Sequence, residues 1–248
     1  CELVAMSNYA RLYKQVWGPI ACDTPAAVEM VYDNIGLSIS AYEKSYEVNP
    51  YASKFDLFYD KATAKGLDVA AINMVNWKQY LRLGLSSDEV YGLALFNDEE
   101  KGMCALCHTL DEGASGYPLF TDFSYDNLGI PSNPENPYLL AHPGWWDPGL
   151  GGFLKAAGYS AAVYEPEYGK FKVPTLRNVA RTAPYGHNGV FATLREMVAF
   201  HNDSSSFTPE VSKNRIDPLF GKDDLSDKQI TDIVAFLKTL TDDLKMQP

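Results

Sequence analysis

No stretch of about eighteen consecutive apolar residues occurs in this chain, so the sequence encodes no helix able to cross a bilayer. Positive charge is scarce. The 21 lysines and arginines face 32 aspartates and glutamates, giving a formal net charge of −11 at pH 7. That balance argues against nucleic acid and against an anionic membrane surface as partners, and it suits small molecules or basic patches on other proteins. Histidine and cysteine are rare as well, four of each. There is no internal repeat, no low-complexity tract and no N-terminal secretory leader. What remains is rich in apolar side chains: 46% of the 248 residues are hydrophobic, enough for one large domain or two small ones with real cores.

Helical patterning dominates. Tyr9 to Trp17 reads as a short amphipathic segment. Thr24-Pro25 has the form of an N-cap followed by proline at the first helical position, and Val28, Val31, Tyr32 and Ile35 follow at near-helical spacing. A third segment spans Lys54 to Ala64 and closes near Gly66. Ser86 with Glu89 fits a capping box, and Val90, Leu93, Ala94 and Phe96 then form an apolar face. From Gly113 to Tyr168 the chain is rich in Pro, Gly and aromatics, a loop composition. Two further capping boxes, Thr193/Glu196 and Ser226/Gln229, open the last two helices. The first carries Leu194, Met197, Val198 and His201 on one face. The second carries Ile230, Ile233, Val234, Leu237 and Leu240.

Two cysteines stand one helical turn apart with histidine immediately after: Cys104-Ala-Leu-Cys107-His108. Two thiols at this spacing reach the two vinyl groups of a porphyrin, and the next residue sets an imidazole under the iron. The motif therefore predicts one covalent haem c with His108 as proximal ligand. The competing readings are a redox dithiol and half of a zinc site. Zinc would need two more Cys or His ligands at suitable spacing, and none is nearby. Haem is normally attached outside the cytoplasm, so the expected location is the periplasm or another extracytoplasmic space, with the chain already processed. Cys1 and Cys22 remain. They form a disulfide, as such a compartment allows, or Cys1 is lipidated, or both are free thiols. Membrane association is expected only in the lipidated case.

The sixth iron position decides between ligand activation and electron transfer. The remaining histidines are His142, His187 and His201. The free thioethers are Met6, Met30, Met74, Met197 and Met246, with Met103 too close to Cys104. His201 lies at i+7 on the apolar face that starts at Leu194, so it points towards a buried surface. A lone histidine there is usually a core residue, but a domain that buries a haem makes it a ligand candidate. Met197, one turn earlier, is the rival or a packing residue. His142 precedes a Pro-Gly-Trp-Trp loop and His187 sits in Tyr-Gly-His-Asn-Gly, and both read as supporting hydrogen bonds or loop contacts.

These pieces predict an all-α chain. A c-type cytochrome domain with long loops spans 86–248, with its first and last helices paired around the porphyrin, and a small helical segment, 1–85, precedes it.

Several motifs in one order resemble the bacterial di-haem cytochrome c peroxidase and MauG family. They are Gly92-Leu-Ala-Leu-Phe96, Asp126-Asn-Leu-Gly-Ile-Pro131, Asp147-Pro-Gly-Leu-Gly-Gly152, and the run from Phe171 through Tyr185-Gly-His-Asn-Gly189 to His201. The resemblance implies two haem domains, of which this chain looks like the second, electron-transfer one, while 1–85 looks like the end of the first. The first domain's own Cys-x-x-Cys-His is absent, which implies a second haem on a partner chain or in a missing region. In the family the distal ligand lies on the helix after Tyr-x-His-x-Gly. It is Met in the peroxidases and Tyr in MauG, and the matching position here is His201. The resemblance also matches the backbone carbonyls of Thr182 and Pro184 to calcium ligands. Arg177 reads either as a partner for a haem propionate or as a surface ion pair. Trp145 and Trp146 read as porphyrin packing or as an electron path. The function so implied is electron relay from a redox donor protein to a peroxide-reacting haem, with a stand-alone carrier cytochrome as the alternative. Catalysis at this haem itself is disfavoured, since no acid–base pair is visible near His201.

Overall fold

A computed structural model describes residues 1–212, 214 and 224–242. It divides into two compact units, Cys1–Tyr51 and Ala52–Pro248. Met246 lies outside the described residues.

The smaller unit contains α1 (Glu2–Ala5), α2 (Ala10–Trp17) and α3 (Pro25–Glu43). Thr24 caps α3 as expected, its hydroxyl accepting from Ala27 N at 3.2 Å, and Pro25 occupies the first turn. Two side-chain bonds tie α2 to α3: Asn34 Nδ2 donates to Tyr13 OH, and Trp17 Nε1 donates to Ser38 Oγ, both at 2.9 Å. Cys1 and Cys22 form a disulfide with Cα atoms 5.9 Å apart. This settles the three-way reading of these cysteines in favour of the bridge and leaves no Cys1 thiol for a thioether lipid. The apolar face expected on α3 is only partly used. Val31 is buried, whereas Tyr32 is 73% exposed.

The larger unit begins at α4 (Lys54–Thr63), opened by a reciprocal Ser53/Asp56 capping box. It continues with α5 (Ser87–Asn97), α6 (Pro137–Ala141), α7 (Gly149–Ala156), α8 (Ala161–Tyr164), α9 (Leu194–Asn202) and α10 (Asp227–Lys238). All three capping boxes read from the sequence, at Ser86, Thr193 and Ser226, are formed. A short antiparallel ribbon pairs β1 (Tyr125–Asp126) with β2 (Phe171–Lys172). The described residues are otherwise helix and loop, which matches the all-α expectation.

The core explains why the units divide at 51/52 rather than at the 85/86 boundary expected from the sequence. Phe55, Phe58, Ala62, Val69, Ile72, Tyr80 and Leu83 are buried in one cluster with Val90, Leu93, Phe96, Ile233 and Phe236. The segment 52–85 thus shares its apolar contacts with α5 and α10, and separating it would expose that core. The stretch 113–168, expected to be loop, holds α6 to α8. These are short helices whose turns are too brief to give a periodic signal. Helices α5 and α10 pack against each other, as expected, and they approach so closely that a Cβ on Gly92 would lie 2.0 Å from Asp232 O.

Candidate haem site

After α5 the backbone folds back sharply. A Cβ on Gly102 would lie 2.2 Å from Leu95 O, Met103 has φ 49°, and Met103 N donates to Asp98 O at 2.8 Å. This turn delivers a 3₁₀ segment, Cys104–Leu106, and His108 N then donates to Cys104 O at 2.9 Å. The two thiols and the imidazole are therefore set within one tight turn. Cys104 and Cys107 are not disulfide-bonded.

Burial raises the Cys107 thiol to a pKa of about 11. The charges of Asp126 and Asp122 add to the effect, as does the bond from Sγ to Asp126 Oδ2 at 3.9 Å. A redox dithiol needs a thiol that ionises easily, so this environment argues against that reading.

The ring of His108 is fixed from behind, its Nδ1–H donating to Phe120 O at 2.9 Å. The proton is thereby held on Nδ1 and the lone pair on Nε2, the tautomer a metal ligand needs. Burial lowers the pKa of His108, opposed by its backbone hydrogen bonds and by Asp122. His201, on α9, repeats the pattern. Its Nδ1–H donates to Met197 O at 2.8 Å. Its pKa falls to about 4, first through burial and further through the charge of His108, against the opposing Met197 carbonyl. Burial disfavours the charged form of both rings, and both hold their proton on Nδ1. Met197 packs partly buried against the core, as does Met74. Met6 and Met30 are 83% and 64% exposed in the smaller unit.

Arg177 is neither at the surface nor simply available to a ligand. Its Nη1 donates to Asp56 Oδ1 at 2.6 Å, and its Nε donates to Pro118 O at 2.9 Å. The ion pair is buried, with the two side chains 6% and 1% exposed. Thr182 and Pro184 fall in the turn after Val179–Arg181, where Thr182 Oγ1 donates to Val179 O at 3.0 Å. Among the described residues, no group of three or more His, Cys, Asp or Glu side chains gathers to hold a cation. Trp145 and Trp146 are each 40% exposed and line an open groove of about 560 Å³ with Pro131, Phe207 and Glu210. His142 stacks on Tyr138 at 4.2 Å. His187 stacks on Phe171 at 3.8 Å and contacts Glu210 through Nε2 at 3.1 Å.

Sequence reasoning did not single out Asp56 or Glu210. Asp56 left a local trace, the Ser-x-x-Asp capping pattern. Glu210 left none: its carboxylate collects Asp147 N, His187 Nε2 and Asn188 Nδ2 from distant positions.

The donor set fits haem c. Two unbridged thiols one turn apart precede an imidazole whose proton is held away from the prospective iron. A second buried imidazole, His201 on α9, is likewise anchored through Nδ1 to a backbone carbonyl.

No protein-family model matches the chain. Three curated proteins illustrate its likenesses. Methylamine utilization protein MauG of Paracoccus denitrificans is 28% identical over 263 residues, covering 94% of this chain and 57% of that protein. Cytochrome-c peroxidase IdrP1 of Denitromonas iodatirespirans is 32% identical over 70% of this chain and 46% of its own length. Cytochrome c551 peroxidase of Nitrosomonas europaea is 28% identical over 97% of this chain and 52% of its own. Among solved structures, the diheme peroxidase BthA of Burkholderia thailandensis superposes with a TM-score of 0.67 at 27% identity, over 96% of this chain and 57% of that one. The chain thus spans about half the length of these relatives. Its motifs, their order and its fold together make the chain a member of the bacterial di-haem cytochrome c peroxidase/MauG family.

Proposed function

We propose that this chain is the electron-transfer haem portion of a peroxidase-type oxidoreductase. It would relay electrons from a redox donor protein to a second, peroxide-reacting haem on a partner chain or on another part of a longer chain. The observation that carries the proposal is the pair His108 and His201: both are neutral, and both are anchored through Nδ1 to a backbone carbonyl. His108 and His201 would hold the haem iron between them, an arrangement that suits outer-sphere electron transfer rather than peroxide binding.

Bound at Cys104 and Cys107, the haem supplies one-electron redox chemistry. The protein's part is to orient and to insulate. The Phe120 carbonyl increases the donor strength of His108, the Met197 carbonyl does the same for His201, and the low polarity around both disfavours added charge. Two imidazoles stabilise ferric iron more than a thioether does, so the potential falls below that of a His/Met pair.

Calcium held in part by the Thr182 and Pro184 carbonyls, a c-type cytochrome domain within residues 52–248 and an extracytoplasmic location belong to the same reading. The exposed side chains of α2 and α3, such as Leu12 at 53% and Leu37 at 56%, favour a partner surface over a stand-alone carrier.

Low-temperature EPR of the ferric, haem-loaded chain tests the reading, with haem counted by pyridine haemochrome. One haem per chain with only low-spin signals of the bis-imidazole type is expected. A high-spin signal at one per chain would overturn it and move peroxide chemistry to this haem.

A further inference from the structure

The segment carrying Phe120 is fastened at every residue. Pro118 O accepts from Arg177 Nε at 2.9 Å, and Leu119 O accepts from Thr175 Oγ1 at 2.6 Å. Phe120 O accepts from His108 Nδ1 at 2.9 Å. Thr121 Oγ1 donates to Val173 O at 2.7 Å, and Asp122 N donates to Cys107 O at 2.9 Å. Phe120 itself has φ 55°, a left-handed conformation costly for a bulky residue, and its side chain is completely buried. Such strain persists where the surroundings over-determine it.

One of these fastenings comes from a buried ion pair, Arg177 with Asp56. The guanidinium lies over two rings, 5.8 Å from the centroid of Phe55 and 5.6 Å from that of Phe120. Asp56 is itself fixed, since its Oδ2 accepts from Ser53 N at 2.9 Å and from Ser53 Oγ at 2.6 Å. A buried ion pair adds little stability over apolar residues of equal volume, because desolvation offsets the attraction. What it can fix is geometry. This one joins the first turn of α4 to the carbonyl segment behind the proximal imidazole.

We infer that Arg177 and Asp56 are positioning residues for His108: their ion pair holds the 118–122 segment so that Phe120 O stays on His108 Nδ1, and it thereby sets the donor strength of the proximal ligand and the potential of the iron. The inference rests on the haem reading above. Neither side chain needs to touch the haem.

The test is a potentiometric titration of the haem-loaded full chain carrying Arg177→Met, Arg177→Lys or Asp56→Asn, with EPR g values and thermal midpoints measured on the same samples. Leu83→Ala, a buried position that touches none of these groups in the hydrogen-bond network, is the control for general destabilisation. Loosening the Phe120 carbonyl weakens the donation from His108. Arg177→Met should therefore shift the one-electron reduction equilibrium about tenfold towards ferrous iron, which is about 59 mV. Arg177→Lys should shift it less, in the same direction, and Leu83→Ala should leave it in place while lowering the thermal midpoint. If Arg177→Met does not accumulate, Asp56→Asn keeps size and shape and carries the test. Potentials unchanged in every haem-loaded variant, with only thermal midpoints lowered, would overturn the positioning role and leave the haem reading intact. A wild-type chain that acquires no covalent haem would overturn the haem reading and this inference with it.

Discussion

A histidine on the apolar stripe of a helix is normally held by one hydrogen bond and does nothing else. His201 has that bond, to Met197 O, but the charge of His108 also contributes to lowering its pKa, after burial. Its role is therefore separable by substitution. His201→Met keeps a flexible apolar-compatible ligand at the position and should raise the reduction potential, since a thioether favours ferrous iron more than imidazole does. A redox titration reads this directly, and loss of the bis-imidazole EPR signal accompanies it. His201→Ala should leave the sixth position open and give a high-spin ferric spectrum. An unchanged low-spin spectrum in that variant would assign the distal ligand to another residue. At this scale the sequence spoke clearly about Cys104, Cys107 and His108, because a covalent motif is local. It suggested His201 through periodicity. It was silent on the union of Asp56 with Arg177, because those residues are 121 positions apart and only the folded chain brings them together.

The helices show a similar gradient. Those opened by a capping box were legible because the signal sits in four consecutive residues, and Ser86, Thr193 and Ser226 all form theirs. The short helices α6 to α8 were not, since one or two turns against a neighbouring loop leave no stripe to count. Helix α5 gave a misleading hint of one-sidedness. Gly92, Leu93, Ala94, Leu95 and Phe96 are all buried, so it is enclosed nearly all round. Its glycine is where α10 crosses. Gly92→Ala places a methyl against the Asp232 carbonyl, which is backbone and cannot swing away. The helices must part, at a cost of about 1–3 kcal/mol, typical of overpacking. Chemical denaturation should show this as a lower midpoint with little change in slope. A wild-type midpoint would mean that α5 and α10 separate freely at that crossing.

Across the whole chain, the difference between the units is one of how each is held. The larger unit has a deep apolar core. The smaller has Tyr13 and Val31 buried, two side-chain hydrogen bonds between α2 and α3, and a disulfide. Small units with little core depend on such cross-links. Reduction of the Cys1–Cys22 bond should destabilise residues 1–51 by about 3 kcal/mol on the loop-entropy scale. Hydrogen exchange with and without a phosphine reductant should show protection falling in α2 and α3 while α5, α9 and α10 keep theirs. Equal loss in both units would mean that they fold as one. The boundary itself was hard to read from sequence because the segment 52–85 has the same helical composition on either side of the true division. Only the burial of Phe55, Phe58 and Ile72 assigns it.

The bridge has a consequence for how the chain is made. Any two of the four cysteines could in principle pair, and only the Cys1–Cys22 bridge leaves both Cys104 and Cys107 reduced and available for thioether formation. Cys1 and Cys22 belong to the same 51-residue unit, so their pairing can be completed by that unit alone. Cys104 and Cys107, the pair proposed to bind the porphyrin, lie more than eighty positions further along the chain. Oxidation and haem ligation, two chemistries that compete for the same functional group, are thus kept apart by where the cysteines sit, and maturation can sort them in order of synthesis.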